Sequence, residues 1–216
     1  MKRTGKKRIF VGVSFLAAFV LWTVLVSFVD VRAIGPNGSS VGFAVLNGYV
    51  HERIGVNIPL YTITDWLGFV PIGVAFGFAM LGLAQWIKRK SLLKVDRSLL
   101  ALGGFYMVVL AAYIFFEIVV INYRPTLIDG YLEASYPSST TMLVMCVMPP
   151  AMIQLRTRIK NRAFRRCVMI SIAVFIVFMV IGRLLSGVHW LTDIIGGTLV
   201  STGLVITYAS VSDIHK

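Results

Sequence analysis

The chain has 216 residues, of which 57% are hydrophobic and only 14% are charged, and its formal net charge is +12. A soluble globular domain carries about 25% charged residues, so this composition excludes an ordinary soluble protein. The apolar residues fall in long blocks rather than in amphipathic stripes, which indicates helices that span a membrane.

Six apolar blocks predict six transmembrane helices, because about 20 apolar residues are enough to cross the hydrocarbon core. The fourth block is short and contains Pro149 and Pro150, which a membrane helix tolerates when neighbouring groups satisfy the freed backbone. We therefore predict an all-α integral membrane protein, a six-transmembrane-helix bundle that forms a single domain over residues 1–216. The blocks are residues 9–29, 66–87, 99–121, 138–155, 167–185 and 190–209.

The basic segment 1–8 and the first apolar block together resemble a secretory signal peptide. The apolar run is longer than the roughly 7–15 residues of a cleaved signal, and no convincing small-residue cleavage site follows it. We therefore predict a retained anchor helix with a cytoplasmic basic N-terminus at residues 1–8.

The positions of the 21 Lys and Arg residues predict the orientation of the chain. Most of them fall in segments that six spans place on one side of the membrane. The positive-inside rule assigns that side, with both termini, to the cytoplasm. Such clusters also attract anionic lipid headgroups, so we predict membrane lipids and no nucleic acid as partners. The basic residues on the predicted cytoplasmic side are Lys2, Arg3, Lys6, Lys7, Arg8, Lys88, Arg89, Lys90, Lys94, Arg97, Arg156, Arg158, Lys160, Arg162, Arg165, Arg166 and Lys216.

The opposite, extracytoplasmic side has few basic residues and the longest loop, residues 30–65. Turn residues and an apolar stretch at 41–50 predict a short interfacial or re-entrant helix there. His51 and Glu52 are predicted to be solvated loop residues. The basic residues of this side are Arg32, Arg53, Arg124 and Arg183.

Two patterns inside the blocks indicate packing rather than chemistry. Cys146 and Cys167 lack metal-ligand spacing, and we predict that both are buried thiols. Gly73 and Gly77 have the GxxxG spacing that is typical of close helix packing.

Three segments near predicted extracytoplasmic span ends collect polar residues: 117–125, 136–141 and 182–193. In the third, His189 and Asp193 are four residues apart and share one face of a helix. A carboxylate in that position can hold one ring nitrogen of an imidazole and leave the other free as a nucleophile.

The same segments contain groups that bind phosphate. Residues 138–139 and 186–187 look like helix starts, whose free amides attract anions, and Arg124 and Arg183 offer planar donors. Taken singly, each residue is typical of a polar interfacial position. Because all of them fall on one side of the membrane, we predict a phosphate site.

The spacing resembles the type 2 phosphatidic acid phosphatase family, which shares its core with the vanadium-dependent haloperoxidases. The third motif of that family is Ser-Arg, five residues, His, three residues and Asp. Arg183, His189 and Asp193 match it, with Gly182 in place of the Ser. The order of the motifs also matches, so the resemblance covers a phosphatase-like core at roughly residues 60–210.

This resemblance implies that His189 is the nucleophile of a phospho-histidine mechanism and that Asp193 orients it. It implies a lipid phosphate or diphosphate as substrate and no metal or other cofactor. The residues that it implies for phosphate binding are Arg124, Arg183, Ser138, Ser139 and Thr140.

Two positions depart from the family pattern. Glu117 stands where the first motif has Lys, and Thr140 stands where the second motif has the His that protonates the leaving group. A threonine hydroxyl cannot act as that acid, because its pKa lies far above neutrality. A diphosphate, whose leaving group is a phosphate, needs the acid least, so we predict a preference for lipid diphosphates such as a polyprenyl diphosphate.

Three interpretations follow. The first is a membrane lipid phosphatase, a hydrolase with a modified acid step. The second is a catalytically impaired relative that binds or moves lipid phosphate headgroups, and the third is a transporter or structural protein whose resemblance is accidental. The lysine-rich loops favour a bacterial plasma membrane. No oligomeric state is predicted.

Overall fold

The computed structural model describes the backbone of residues 3–214 and the side chains of residues 5–212. Lys2, Lys216 and the side chain of Arg3 lie outside the described residues, so the predicted basic N-terminus is described only in part. The helices are α1 (Arg3–Phe28), α2 (Ala44–Ile54), α3 (Ile58–Leu67), α4 (Phe69–Arg89), α5 (Arg97–Ile118), α6 (Ser139–Arg158), α7 (Arg162–Leu185) and α8 (Leu191–Ile214).

Five helical segments of the described chain are long and apolar enough to cross a membrane. The helices α3 and α4 form one of them, Ile58–Arg89, and the others are Gly5–Phe28, Arg97–Ile118, Arg162–Leu185 and Leu191–Ser212. The predicted all-α, multi-pass membrane fold is therefore confirmed, although the number of six spans is approximate.

Helix α6 corresponds to the predicted fourth span but differs from the other five. It contacts α4, α5, α7 and α8, and it buries residues along its whole length, among them Val144, Cys146 and Ala151. Because its neighbours shield it from lipid, α6 can be less apolar than a helix that faces the hydrocarbon core. This position also explains why its composition gives a weak transmembrane signal.

Helices α1 and α8 approach closely at two glycines. A Cβ added to Gly203 would lie 3.0 Å from the carbonyl oxygen of Gly12, and one added to Gly12 would lie 2.5 Å from Thr207 Oγ1. Small residues of this kind let membrane helices pack backbone to backbone. The contact fixes α1 against the helix that carries Asp193.

Two packing predictions need correction. A Cβ on Gly73 or Gly77 would meet no atom within 4 Å, because this face of α4 points away from the bundle. The GxxxG prediction is therefore wrong for this structure. Cys146 is buried as predicted, whereas Cys167 is exposed near the start of α7, outside the packed core.

The polar segments meet at one end of the bundle, which we call the motif end: residues 30–67, 119–138 and 186–193. Asn57 N donates to Ser186 O across 2.9 Å, and Ser138 N donates to Asp193 O across 3.1 Å. Gly187 has a φ of +68°, and a Cβ there would lie 1.9 Å from Gly55 O. Only glycine fits this contact, which places the α2–α3 junction directly on the segment before His189.

Candidate functional site

His189 lies at the centre of the motif end, in the short segment between α7 and α8. Its side chain is 1% exposed, and neither ring nitrogen has a hydrogen-bond partner within the described chain. Buried polar atoms in native proteins nearly always have a partner, so an unpaired imidazole is a marker of a functional position.

Asp193 lies in the first turn of α8 and is completely buried. Its Oδ2 accepts a hydrogen bond of 2.9 Å from Trp190 N, as the acidic residue of a capping box does at a helix start. The same Oδ2 lies 3.7 Å from His189 Nδ1. That distance is too long for a hydrogen bond, yet it brings the carboxylate and the ring side by side.

The carboxylate of Asp193 is also held by Asn122, which the sequence reasoning missed. Asn122 Nδ2 donates to Asp193 Oδ1 across 3.3 Å, and Asn122 Oδ1 accepts from Gly42 N across 3.3 Å. Asn122 is 1% exposed. An asparagine two residues before Arg124, in an otherwise apolar run, was the signal available in the sequence.

Arg183 enters the site from the last turn of α7 and is 1% exposed. Its Nη1 lies 3.4 Å from Thr64 Oγ1 and 3.6 Å from Asp65 Oδ1, and its guanidinium carbon lies 5.0 Å from the centre of the Tyr61 ring. Its Nε has no hydrogen-bond partner in the described chain. Helix α3 thus orients Arg183 and leaves its Nε donor free.

Arg124 enters from the loop after α5. Its Nε lies 3.0 Å from Glu133 Oε2, and its backbone N donates to Glu133 O across 3.0 Å. The side-chain ion pair does not have hydrogen-bond geometry, and both Nε and Nη1 of Arg124 are buried without a hydrogen-bond partner in the described chain. Sequence reasoning did not identify Glu133, whose side chain remains 44% exposed.

The two guanidinium groups act on His189. Burial lowers the pKa of His189 well below its ordinary value, and the positive charges of Arg124 and Arg183 lower it further. The backbone of Ser135 opposes this shift. The imidazole is therefore neutral at neutral pH, which is the form that has a nucleophilic lone pair.

The second-motif segment is only partly directed into this cluster. Ser138 is fully buried, and its hydroxyl has no hydrogen-bond partner among the described residues. Ser139 begins α6 and is half-buried. Thr140, which we expected to bind phosphate, lines an apolar cavity together with Ser139, whereas the Thr141 hydroxyl is buried without a hydrogen-bond partner in the described chain. The difference arises because Thr140 and Thr141 lie on different faces of the first turn of α6.

The apolar cavity has a volume of about 460 Å³ and lies between α4, α5 and α6. Ser139 and Thr140 form its polar end. The remaining lining residues are Ile72, Ala75, Tyr106, Val109, Leu110, Tyr113, Met142, Leu143 and Val147. A cavity of this composition suits an extended hydrocarbon chain whose headgroup lies at the start of α6.

Glu117 lies in the last turn of α5, is exposed, and lines a small cleft with Tyr113 and Ser139. In the described part of the chain it forms no ion pair with an arginine, because the carboxylate beside Arg124 is that of Glu133. The position that carries Lys in the family pattern is therefore an acidic group at the edge of the site.

His51 differs from the prediction of a solvated residue. It lies on α2, it is half-buried, and its ring centre is 5.3 Å from that of Trp190. This burial lowers its pKa. Its neighbour Glu52 is exposed, in agreement with the prediction.

The structure thus gathers His189, Asp193, Arg124, Arg183 and Ser138 into one buried cluster and leaves Thr140 at its edge. Unpaired donors surround a neutral imidazole, an arrangement suited to an anion with several oxygens. Over the described residues, no three His, Cys, Asp or Glu side chains are grouped so that they could hold a metal ion.

Comparisons with known proteins bear on the family and the fold of the chain. No curated protein matches the chain significantly. Among solved structures, the chain is similar to the one described as the first transmembrane PAP2-type phosphatidylglycerolphosphate phosphatase from Bacillus subtilis, with 21% identity, a TM-score of 0.50, and coverage of 94% of this chain and 96% of that chain. At this identity the likeness shows the fold. A model of the PAP2 superfamily matches residues 98–215, more than half of the chain, and the chain therefore belongs to the PAP2 superfamily.

Proposed function

We propose that this protein is a membrane lipid phosphate or diphosphate phosphohydrolase with His189 as its nucleophile. The observation that carries the proposal is the buried, unpaired His189 ring beside two arginines with free donors. Membership in the PAP2 superfamily supports a lipid phosphatase in general. It also makes the interpretation of an accidental resemblance wrong.

The proposed reaction has two displacements. His189 Nδ1 faces Asp193, so Nε2 is the nitrogen that attacks phosphorus. The bond from phosphorus to the leaving oxygen breaks, and a phospho-histidine forms whose positive ring the Asp193 carboxylate stabilises. Water then attacks phosphorus, which releases inorganic phosphate and a proton and regenerates the neutral imidazole.

Arg124 and Arg183 are proposed to bind the phosphoryl oxygens, with help from the amides and hydroxyls around Ser138 and Ser139. Charge develops on these oxygens in the transition state, and preorganised cationic donors in a site shielded from water stabilise it. Thr140 contributes little to phosphate binding in this proposal, because its side chain lines the apolar cavity.

The apolar cavity supports a lipid as the substrate, and its polar end at Ser139 suits a phosphate at the end of a hydrocarbon chain. Without the family's acidic His, an alkoxide leaving group would have to depart unprotonated, which would lower the rate by a factor of roughly 10²–10⁴. A diphosphate instead releases a phosphate, whose last pKa is about 6. We therefore propose a lipid diphosphate, of which a polyprenyl diphosphate is an example.

The proposed orientation places the motif end on the extracytoplasmic face of the plasma membrane, with both termini in the cytoplasm. Its support is the distribution of Lys and Arg, which are concentrated in the loops at the opposite end of the bundle.

The second candidate function is a catalytically impaired relative that binds or moves lipid phosphate headgroups. It is favoured by Glu133, which is paired with Arg124, and by the loss of the acidic His at Thr140. It predicts headgroup binding without phosphate release.

One experiment separates the two functions. Purified protein, His189→Ala and the matched control His51→Ala are assayed for phosphate release from a panel of lipid phosphates and diphosphates. Catalysis predicts release by the native protein and by His51→Ala, and loss of at least about 10³-fold in His189→Ala. Binding of the same lipids with no release by any of the three proteins would support the second function.

A further inference from the structure

A second group of arginines lies at the end of the bundle opposite to His189. It surrounds a cavity of about 410 Å³ between the end of α6 and the start of α7, which we call the arginine pocket. Arg162 and Arg183 lie 21 residues apart on α7, so at 1.5 Å per residue the pocket is about 30 Å from the phosphate site. Its lining residues are Met152, Ile153, Arg156, Arg162, Arg165, Arg166 and Met169.

The charges of the arginine pocket have no protein counter-charge. None of its four arginines forms an ion pair with any carboxylate in the described part of the chain. By contrast, Arg158, on the same stretch of α6, lies 3.8 Å from Asp96 Oδ2. The lining contains no acidic residue, so the pocket has a concentrated positive field.

The start of α7 adds to this field. A helix begins with unpaired amides and the positive end of its dipole, where acidic residues are stabilising and basic residues are not. α7 has no acidic residue in its first turn, which contains Arg162 and Arg165 and is followed directly by Arg166. Asn161 caps one amide, that of Phe164. A bound anion would offset the repulsion among these arginines and between them and the positive end of the α7 dipole.

Hydrogen bonds hold one of these arginines, Arg165, in place beside the pocket. Arg165 is half-buried, and its Nη1 donates to Ile159 O across 3.4 Å and to Arg156 O across 3.5 Å. These bonds satisfy carbonyls at the end of α6 and hold the guanidinium between the two helices. The pocket therefore contains a positioned cation as well as the exposed side chains of Arg156, Arg162 and Arg166.

The floor of the pocket is apolar. Met152 and Ile153 come from α6, and Met169 comes from α7. A free phosphate or other small ion would gain nothing from this floor, whereas a lipid can place its headgroup among the arginines and an acyl chain along the two helices. Basic pockets between transmembrane helices at the cytoplasmic surface bind anionic lipid headgroups in this way.

We propose that the arginine pocket is a binding site for an anionic diacyl phospholipid of the cytoplasmic leaflet. The lipid's phosphate lies among Arg156, Arg162, Arg165 and Arg166, and one acyl chain packs on Met152, Ile153 and Met169. The site is separate from the proposed catalytic site and does not depend on it.

The test measures lipid binding to the purified full-length protein by native mass spectrometry, with dioleoyl phosphatidylglycerol and dioleoyl phosphatidylcholine as probes. The variant is Arg162→Gln with Arg166→Gln. Its matched control is Lys88→Gln with Lys90→Gln, which removes the same charge from the end of α4. We expect one phosphatidylglycerol per chain, bound at least tenfold tighter than phosphatidylcholine, a tenfold loss in the arginine variant and no loss in the control.

Equal losses in the two double variants would overturn the proposal, because they would show a general attraction to positive surface. Equal binding of the two lipids, or displacement of the lipid by inorganic phosphate at equal concentration, would also overturn it. Arg156→Gln, on α6, provides a second variant should the double substitution impair folding. An intermediate loss of phosphatidylglycerol binding is expected for it, and unchanged binding would count against the site.

Discussion

Asn122 Nδ2 donates a hydrogen bond to Asp193 Oδ1 and thereby joins the segment after α5 to the start of α8. The other oxygen of the same carboxylate accepts from Trp190 N and faces the His189 ring. The orientation of the imidazole thus depends on Asn122, which does not itself touch the ring. Its role in the proposed reaction is positioning.

Replacement of Asn122 by Ala should lower kcat by about 10–100-fold, because a misplacement of about 1 Å in a reacting group can have an effect of that size. KM should change less than threefold, since among the described residues Asn122 forms no hydrogen bond with Arg124 or Arg183. Steady-state kinetics on the best substrate measure both. Asn47→Ala is the control, because Asn47 is equally buried and bonds Thr192 rather than Asp193. Equal effects on kcat in the two variants would indicate a general loss of structure.

The contrast between Asp193 and Asn122 shows what the sequence could predict. His189 and Asp193 are four residues apart, and the turn at the start of α8, in which Asp193 Oδ2 accepts from Trp190 N, brings their side chains within 3.7 Å of each other. Asn122 lies 71 residues from Asp193 along the chain, so its contact depends on how α5 and α8 pack. The carboxylate of Asp65 beside Arg183 was missed for the same reason. Glu133 is only nine residues from Arg124, and its position depends on the irregular loop between α5 and α6.

The fold shows the same division between local and tertiary information. The lipid-facing helices, such as α7, were predictable because lipid selects long apolar runs. The central α6 gave a weaker signal, because protein neighbours rather than lipid surround it. Likewise, the sequence could not predict which way the hydroxyls of Thr140 and Thr141 face, because the packing of α6 against α5 and α8 decides it.

The pKa of His189 should lie below the ordinary value of 6.5, because burial and two positive neighbours all disfavour the imidazolium. The neutral, nucleophilic form should therefore persist as the pH falls through 6.5. The chain has only 3 histidines, so ¹³C-histidine NMR of the ligand-free protein can follow each one, with assignments from His51→Gln and His189→Gln.

Removal of the positive charge of Arg124 tests the direction of the pKa shift of His189. In Arg124→Gln the pKa of His189 should rise, since one of the charges that oppose protonation has been removed. Arg53→Gln is the control, because Arg53 stacks on Tyr49 of α2 and is not among the charges that shift His189. An ordinary pKa for His189 in the native protein, or a downward shift in Arg124→Gln, would contradict the described environment of the ring.

Glu133→Gln should strengthen binding of vanadate, which resembles a five-coordinate phosphoryl group. In the ligand-free structure the Glu133 carboxylate lies beside the Arg124 guanidinium, where it competes with an incoming anion. Because the side chain of Glu133 is 44% exposed, solvent screens the pair, and the gain should be modest, about two- to fivefold in Kd. Asp129→Asn is the control, since Asp129 lies in the same loop and forms no ion pair among the described residues. A weaker affinity in Glu133→Gln would mean that Glu133 supports the bound anion rather than competing with it.

The leaving group should govern the rate more strongly here than in an enzyme with an acidic His at position 140. Farnesyl diphosphate and farnesyl monophosphate carry the same chain, so binding in the apolar cavity cancels in their comparison. We expect phosphate release from the diphosphate to be faster by at least about 10², the lower bound of a typical general-acid contribution. The monophosphate lacks a stabilised leaving group, and neither Thr140 nor the exposed Glu117 is placed to protonate its alkoxide from within the buried cluster. Equal rates for the two substrates would show that another group protonates the alkoxide. If Glu117→Gln then lost cleavage of the monophosphate but not of the diphosphate, Glu117 would be that group.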